Sequence, residues 1–353
     1  MQLTLLVPEL IWPEPEDRAT LESLACPALC TLLARSRQTR RPPQSLEATL
    51  TDAFGLPDGA PYAAFRLLGE MSGPSDSPAD ACWVCADPVH LRFHQERLIL
   101  ADSGSFGIEL AEAQTLADEL NRHFPDVGRF HVAAAERWYL QLSATANLGD
   151  FDVPPLSAIA GRRIDRQLPE TQQTAWLRRL LNEAQMVLHE HPANAARQSD
   201  GRLPINSLWL WGAGALPLRT ESAFDGVWST YPLALGLARA AGVPTHAVPP
   251  DAAAFQSLAA PETHHLVVLD DLQRPVQYQN GEDYRHALLA LEAHWFAPLR
   301  QALASGKISR LRLEASTAYA ALAWESRRAE QWKLWRRPQS LSAIAQNLAK
   351  GDA

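Results

Sequence analysis

Cysteine and methionine are scarce in this chain, 4 and 3 among 353 residues. Four thiols cannot build a disulfide scaffold, and a chain of this length buries a full core without staples. Long apolar runs are also missing. Nothing approaches the roughly 18 uninterrupted apolar residues of a membrane-spanning helix. The opening residues, MQLTLLVPELIWPEPEDR, carry no basic leader, and Pro8, Pro13 and Pro15 interrupt their apolar run. No targeting segment and no membrane partner are therefore expected, and the cytoplasm is the expected compartment. An excess of positive charge is absent as well. Against 40 Asp and Glu stand 32 Lys and Arg, a net charge of -8, which argues against a nucleic-acid partner. Repeats, low-complexity segments and the motifs G-x-x-x-x-G-K-[ST], H-E-x-x-H and G-x-S-x-G do not occur, so the common phosphate-loop, zinc-protease and serine-hydrolase signatures are excluded.

What is present is ordinary globular material, 46% hydrophobic and 20% charged, with unusual counts of 11 Trp and 26 Pro. The length suits two domains, or one core with a large insertion. Residues 2–7 (QLTLLV) read as a buried strand and 19–36 as a helix with Thr20 at its N-cap. That strand-then-helix opening is an α/β signature. Residues 54–70 form a turn-rich loop leading into a helix, and 71–81 (MSGPSDSPADA) look like a boundary. WVCADPVHLRF, ERLILAD and RWYLQL then read as strands around a helix at Leu110–Phe124, a small α+β unit. Beyond it come a long amphipathic helix over 169–191, an aromatic strand at 206–212 (NSLWLWG) and a helix at Pro232–Ala241. A short strand (THAV), a strand at 263–271, a helix at Asp283–Ala304 and a last core strand at 308–315 follow. This alternation predicts a parallel sheet covered on both faces.

Several groups have the residue types of a site. Cys26 with Cys30, and Cys82 with Cys85, have zinc-ligand spacing. The first pair also fits one face of a helix and the second a strand, which is the favoured reading. GAGALP (212–217) places two glycines after a strand, as a phosphate loop or a tight turn would. His189 and His191 flank Glu190 at a helix end, where cations are favoured without any metal. His264 and His265 fall on opposite faces of a strand, so they do not share an ion. The tail mixes Arg327, Arg328, Lys333, Arg336 and Arg337 with Trp324, Trp332 and Trp335, which predicts a solvated or partner-binding face.

The most specific stretch is residues 189–217, HEHPANAARQSDGRLPINSLWLWGAGALP. Its His191, Pro192, Asn194, Arg197, Gly201, Pro204, Asn206, Trp209, Gly212 and Gly214 resemble a run in the cofactor-independent, archaeal-type phosphoglycerate mutases of the alkaline-phosphatase-like superfamily. ACPALCTLLA, residues 54–70, the 82–142 unit, THHLVVLDD and LRLEAST resemble further parts of that family in the same order. LLVPELIWPEPEDR, ADPVHLR, ERWYLQL, LLNEAQMVLHEHPAN and NSLWLWG are closer still to a bacterial group described as regulatory proteins of the RpfE type. The resemblance implies a mixed, mostly parallel sheet flanked by helices, built from residues 1–80 and 150–353. It also implies a small inserted α+β domain at 81–149.

It implies phosphoryl transfer through a serine clamped by two metals, and this chain departs from that pattern. The family's first-strand Asp-Gly falls on Pro8-Glu9. Its nucleophilic Ser and the next Asp fall on Ala60 and Pro61. A later Asp-x-x-x-His falls on Asp270 and Arg274, and Asp-His-Ser-Thr on Glu314, Ala315, Ser316 and Thr317. A methyl group forms no phospho-enzyme, and of the metal ligands only the carboxylates Glu9, Asp270 and Glu314 remain. The expectation is a non-catalytic regulatory or ligand-binding pseudoenzyme without cofactor or bound metal. The alternatives are an active mutase or phosphatase using manganese or zinc, and a protein–protein adaptor. Expected ligand contacts are Asn194, Arg197, Asn206, Trp209 and Trp211, and the expected partner is a small phosphorylated or carboxylate metabolite, or a protein.

Overall fold

The computed structural model describes residues 1–57, 59–71, 81–94, 97–143, 153–160 and 175–351. Among them are twelve strands: β1 (Gln2–Leu6), β2 (Arg37–Arg41), β3 (Trp83–His94), β4 (Arg97–Ala101), β5 (Gly128–Ala134), β6 (Arg137–Leu142), β7 (Ser207–Gly214), β8 (Gly226–Trp228), β9 (Thr245–His246), β10 (His264–Val268), β11 (Arg310–Ser316) and β12 (Ala321–Arg327). The chain divides into two compact units, Met1–Gly55 with Thr220–Ala353, and Leu56–Arg219.

The first unit is built on a seven-stranded mixed sheet in the order β2-β12-β11-β1-β10-β8-β9. The pairs β11–β1, β1–β10, β10–β8 and β8–β9 are parallel, and β12 and β2 are added antiparallel at one edge. Burial of both alternating sets of residues in β1 and β10 suits strands covered on both faces. Leu3, Leu5, Val267, Leu311 and Leu313 belong to the apolar core of this unit.

Two helices differ from the sequence expectation for identifiable reasons. The helix expected over 19–36 is two helices, Arg18–Leu21 and Pro27–Arg35. Pro27 cannot continue a helix from before itself but starts one well. Thr20 is not the N-cap. Asp17 is, accepting from the Thr20 amide and hydroxyl. The helix expected over 283–304 contains a π-helical turn, Glu292–Phe296, between helices Gly281–Leu291 and Ala297–Ser305. Pro298 lacks the N–H that would close the preceding turn, and the wider turn accommodates it. Glu292, buried on that turn, accepts from the amides of Ala28 at 2.6 Å and Leu29 at 3.0 Å. It supplies the N-terminal cap that Cys26 does not provide. Glu292→Ala is therefore expected to cost about 2–3 kcal/mol, measured by urea unfolding, with Glu292→Gln milder.

The second unit carries a five-stranded antiparallel sheet, β4-β3-β6-β5 with β7 on the other side of β3. Helices Tyr62–Glu70, Leu110–His123 and Ala175–Glu190 pack with it around a separate core. The unit contains the expected insert but takes in more of the chain. The aromatic strand, expected in the parallel core sheet, is β7, and it pairs antiparallel with β3 from Ser207↔Val89 to Gly214↔Trp83. The expected boundary at 71–81 and the start of the helix expected at 169 fall largely outside the described residues.

β3 changes partners halfway. It pairs with β6 at Trp83–Cys85 and with β4 at His90–His94. Pro88, which has no N–H to offer, sits in the gap between those ladders. Asp87 sits beside it, and its carboxylate accepts from the Trp138 amide that the gap leaves open.

Candidate functional site

In an open α/β sheet, ligands bind beyond the carboxyl ends of the parallel strands. Here those ends bring three of the singled-out segments together. The amide of Val7 donates to the carbonyl of Glu314, that of Glu9 to Ser316, and that of Leu269 to Leu6, at 2.8, 2.8 and 2.9 Å. Glu9, Asp270 and Ser316–Thr317 therefore leave the sheet side by side. Glu9 has a left-handed backbone, φ 55°, a strained conformation for a non-glycine residue.

The chemistry at these positions is not that of a metal pair. Ala315, where a histidine would stand, points into the apolar core. Arg312 occupies the Glu314 carboxylate. Arg274 lies against the Tyr278 ring. Thr317 accepts from the Tyr319 and Ala320 amides and donates to the Ala320 carbonyl, shaping the turn into β12. Burial raises the Asp270 carboxyl above its ordinary value, and Asp271 adds to that. Among the described residues no three His, Cys, Asp or Glu side chains converge as metal ligands. The residues present do not fit a two-metal centre.

The loop after β1 is packed rather than open. Leu10, Ile11 and Trp12 are buried in the core of the first unit. The Trp12 and Tyr284 rings lie 4.9 Å apart, and the Tyr284 hydroxyl donates to the Leu10 carbonyl at 2.7 Å. Burial pushes the Tyr284 hydroxyl far above its ordinary pKa, with Cys26 and Glu9 adding to the effect. It is a fixed donor, not an acid.

The segment that would carry the nucleophile lies in the second unit. Ala60 is buried there, and Pro61 precedes the helix Tyr62–Glu70. The Pro61 ring and Tyr62 lie against the glycines ending β7. A Cβ on Gly212 would come within 2.8 Å of the Tyr62 Cβ, and one on Gly214 within 2.7 Å of the Pro61 Cβ. The Gly-x-Gly thus lies within β7 and is explained by close packing, not by the strand-to-helix turn expected from its sequence.

The expected ligand contacts are all in the second unit, and their polar groups face its interior. Arg197, 0% exposed, donates from Nε to the Leu203 carbonyl, from Nη1 to Glu112 and from Nη2 to the carbonyls of Phe106 and Gly107. Its pKa is lowered by burial, with Glu112 opposing that effect. Asn194 donates to the Leu188 and Ile205 carbonyls and accepts from the Ile205 amide. Asn206 brackets Leu91, accepting from its amide and donating to its carbonyl, each at 2.8 Å. Trp209 donates to the Pro154 carbonyl. The polar groups of Arg197, Asn194 and Asn206, expected to meet an anion, are thus engaged in internal hydrogen bonds that hold residues 188–206 together and against their neighbours. His191 caps the helix Pro192–Ser199 through its ring.

Trp211 takes part in a network that sequence reading missed. Its indole N–H donates to Asp87 at 2.8 Å. Arg66 grips the same carboxylate with both terminal nitrogens at 2.8 and 2.6 Å, and its Nε donates to the Tyr139 hydroxyl at 2.8 Å. That hydroxyl in turn donates to Glu70, which Arg137 also pairs. The guanidinium lies over the Tyr139 ring at 4.7 Å and near the Trp211 ring at 5.1 Å. Burial alone would lower the Arg66 pKa, yet Asp87 and the neighbouring groups hold it well above the ordinary value. The charged Asp87 in an apolar strand, WVCADPVHL, was the available signal, because an unpaired carboxylate there is prohibitive. The four cysteines are all free. Burial pushes the Cys26 thiol up to about 12, with Glu292 adding to this, the behaviour of inert core thiols.

No protein-family model matches the chain. It is 28% identical over 220 residues to the 2,3-bisphosphoglycerate-independent phosphoglycerate mutase of Methanosarcina mazei, a match covering 57% of this chain and 51% of that protein. It is also 28% identical over 284 residues to the probable enzyme of that name from Geobacter sulfurreducens, covering 74% and 68%. The match thus spans about half the length of the first relative. The PH0037 protein of Pyrococcus horikoshii has the same fold, with a TM-score of 0.54 at 14% identity over 99% of this chain and 95% of that one. The fold is α/β, with a mostly parallel central sheet flanked by helices, on a phosphoglycerate-mutase-like, alkaline-phosphatase-like scaffold. The chain's homologues are cofactor-independent phosphoglycerate mutases. No helix among the described residues is long and apolar enough to cross a membrane.

Proposed function

We propose that this chain is a non-catalytic regulatory or ligand-binding protein on a phosphoglycerate-mutase-like scaffold, a pseudoenzyme of the RpfE type acting in the bacterial cytoplasm. One observation carries the reading. The positions matched to the nucleophile and to metal ligands hold Ala60, Pro61, Arg274 and Ala315, and among the described residues the surviving carboxylates do not gather into a metal-binding group. A methyl group cannot attack phosphorus, and a guanidinium repels a divalent cation. The apolar loop buried after β1 supports the same reading.

The test is metal analysis of purified protein incubated with manganese or zinc, paired with an assay converting 3-phosphoglycerate to 2-phosphoglycerate. Metal well below one ion per chain and no turnover are expected. Ala60→Ser, which restores only the hydroxyl, is expected to remain inactive because nothing is there to activate it. Stoichiometric metal with turnover in the unaltered protein would instead establish the second reading, an active metal-dependent mutase or phosphatase.

A further inference from the structure

At the β2–β12 edge of the first unit's sheet a cleft of about 700 Å³ opens. That is the size of a small-molecule site. Arg37, Arg40, Arg336 and Arg337 line it, and among the described residues no carboxylate does. The surrounding sequence is one-sided in the same way. Ala34–Ser45 contains Arg35, Arg37, Arg40 and Arg41 with no Asp or Glu. Lys333–Lys350 contains Lys333, Arg336, Arg337 and Lys350, again with none. In a chain of net charge -8 this concentration is not a sampling of the average surface.

The bonds that position these arginines leave their charge uncompensated. Arg336 donates to the Ser36 carbonyl at 2.9 Å, and Arg40 to the Leu348 carbonyl at 3.4 Å. Both bonds join the β2 wall to the C-terminal wall, and both acceptors are neutral. Among the described residues none of the four arginines forms an ion pair, whereas neighbouring Arg41 is paired with Asp52. Like charges sharing one cleft repel, and a ligand with two or more negative charges removes that cost. Guanidinium forks match phosphate oxygens bidentately. Beside them Leu33, Ile344 and the edge of Trp324 give the cleft an apolar wall, which a bare inorganic anion does not need.

We propose that this cleft binds a phosphorylated small molecule with an apolar or aromatic body, of the nucleoside-diphosphate class. The proposal does not depend on loss of catalysis, because it uses none of the residues matched to the mutase centre. It goes beyond a generic ligand-binding reading by placing the ligand on cations at a sheet edge, rather than on Arg197.

The test is calorimetric titration of the full chain with ADP, inorganic pyrophosphate, adenosine and a single-stranded oligonucleotide. ADP is expected to bind, pyrophosphate to bind more weakly and adenosine not to bind. High salt should weaken the ADP interaction. Among the described residues the side chains of Arg37 and Arg337 hold no hydrogen bond, so Arg37→Ala/Arg337→Ala should keep the melting temperature while weakening ADP by about tenfold or more. Three results would each overturn the proposal: no heat with ADP or pyrophosphate at millimolar concentration, ADP binding unchanged in the double variant, or binding of the oligonucleotide alone. Mutase turnover in the same preparation would overturn the pseudoenzyme reading and leave this site standing.

Discussion

Asp87→Asn is expected to destabilise the protein by about 3–5 kcal/mol, the cost of breaking a buried ion pair by removing one partner. The substitution keeps the shape of the side chain but leaves the Arg66 guanidinium charged and buried. It also weakens the acceptor for the Trp211 indole and the Trp138 amide. Three donors converge on one carboxylate in the core of the second unit, where water cannot substitute. Urea unfolding followed by tryptophan fluorescence reads the effect directly, because Trp211 is part of the network. Adding Arg66→Met to Asp87→Asn should recover part of the loss by removing the uncompensated charge. If the double variant is no more stable than the single one, burial of an unpaired guanidinium is not the cause. Added salt should change little, because a buried pair is poorly screened.

Arg197→Met is expected to cost a similar amount, about 3–5 kcal/mol. It would leave Glu112 without its main partner and the carbonyls of Leu203, Phe106 and Gly107 without a donor. Arg197→Lys should recover little, because one ammonium cannot span four acceptors that a planar fork reaches. Denaturation midpoints give the magnitude, and hydrogen exchange should show lost protection around residues 188–206. A full-stability Arg197→Met protein that has lost affinity for an anion would restore the binding role expected from sequence and contradict the geometry.

Much of the architecture was legible. The apolar runs of β1 and β10 and the strand–helix alternation of the second half marked a parallel sheet, and its carboxyl ends gather the segments where a site belongs. The residue types at Ala60, Pro61, Arg274 and Ala315 were legible without a structure. β2 escaped because RQTRR has no apolar alternation; it is an edge strand held by backbone pairing to β12. The π-turn at Glu292 escaped because helical periodicity continues through it, and only the reach to Ala28 and Leu29 reveals its use. The strand NSLWLWG was recognised, but its sheet was not, since pairing partners are not encoded in local pattern.

By itself, the sequence determined which side-chain chemistry stands at each position: Ala60, Pro61, Arg274 and Ala315 carry neither a hydroxyl nor an imidazole. Side-chain functional groups are fixed by identity, so they are readable in one dimension. Only the tertiary structure decided what the remaining polar residues do. Arg197 meets Glu112 across 85 positions of chain, and Arg66 meets Asp87 and Tyr139 from different elements. Whether an arginine is a ligand contact or an internal brace depends on which acceptors the fold brings within hydrogen-bond reach, and that is set by packing between segments rather than by spacing within them.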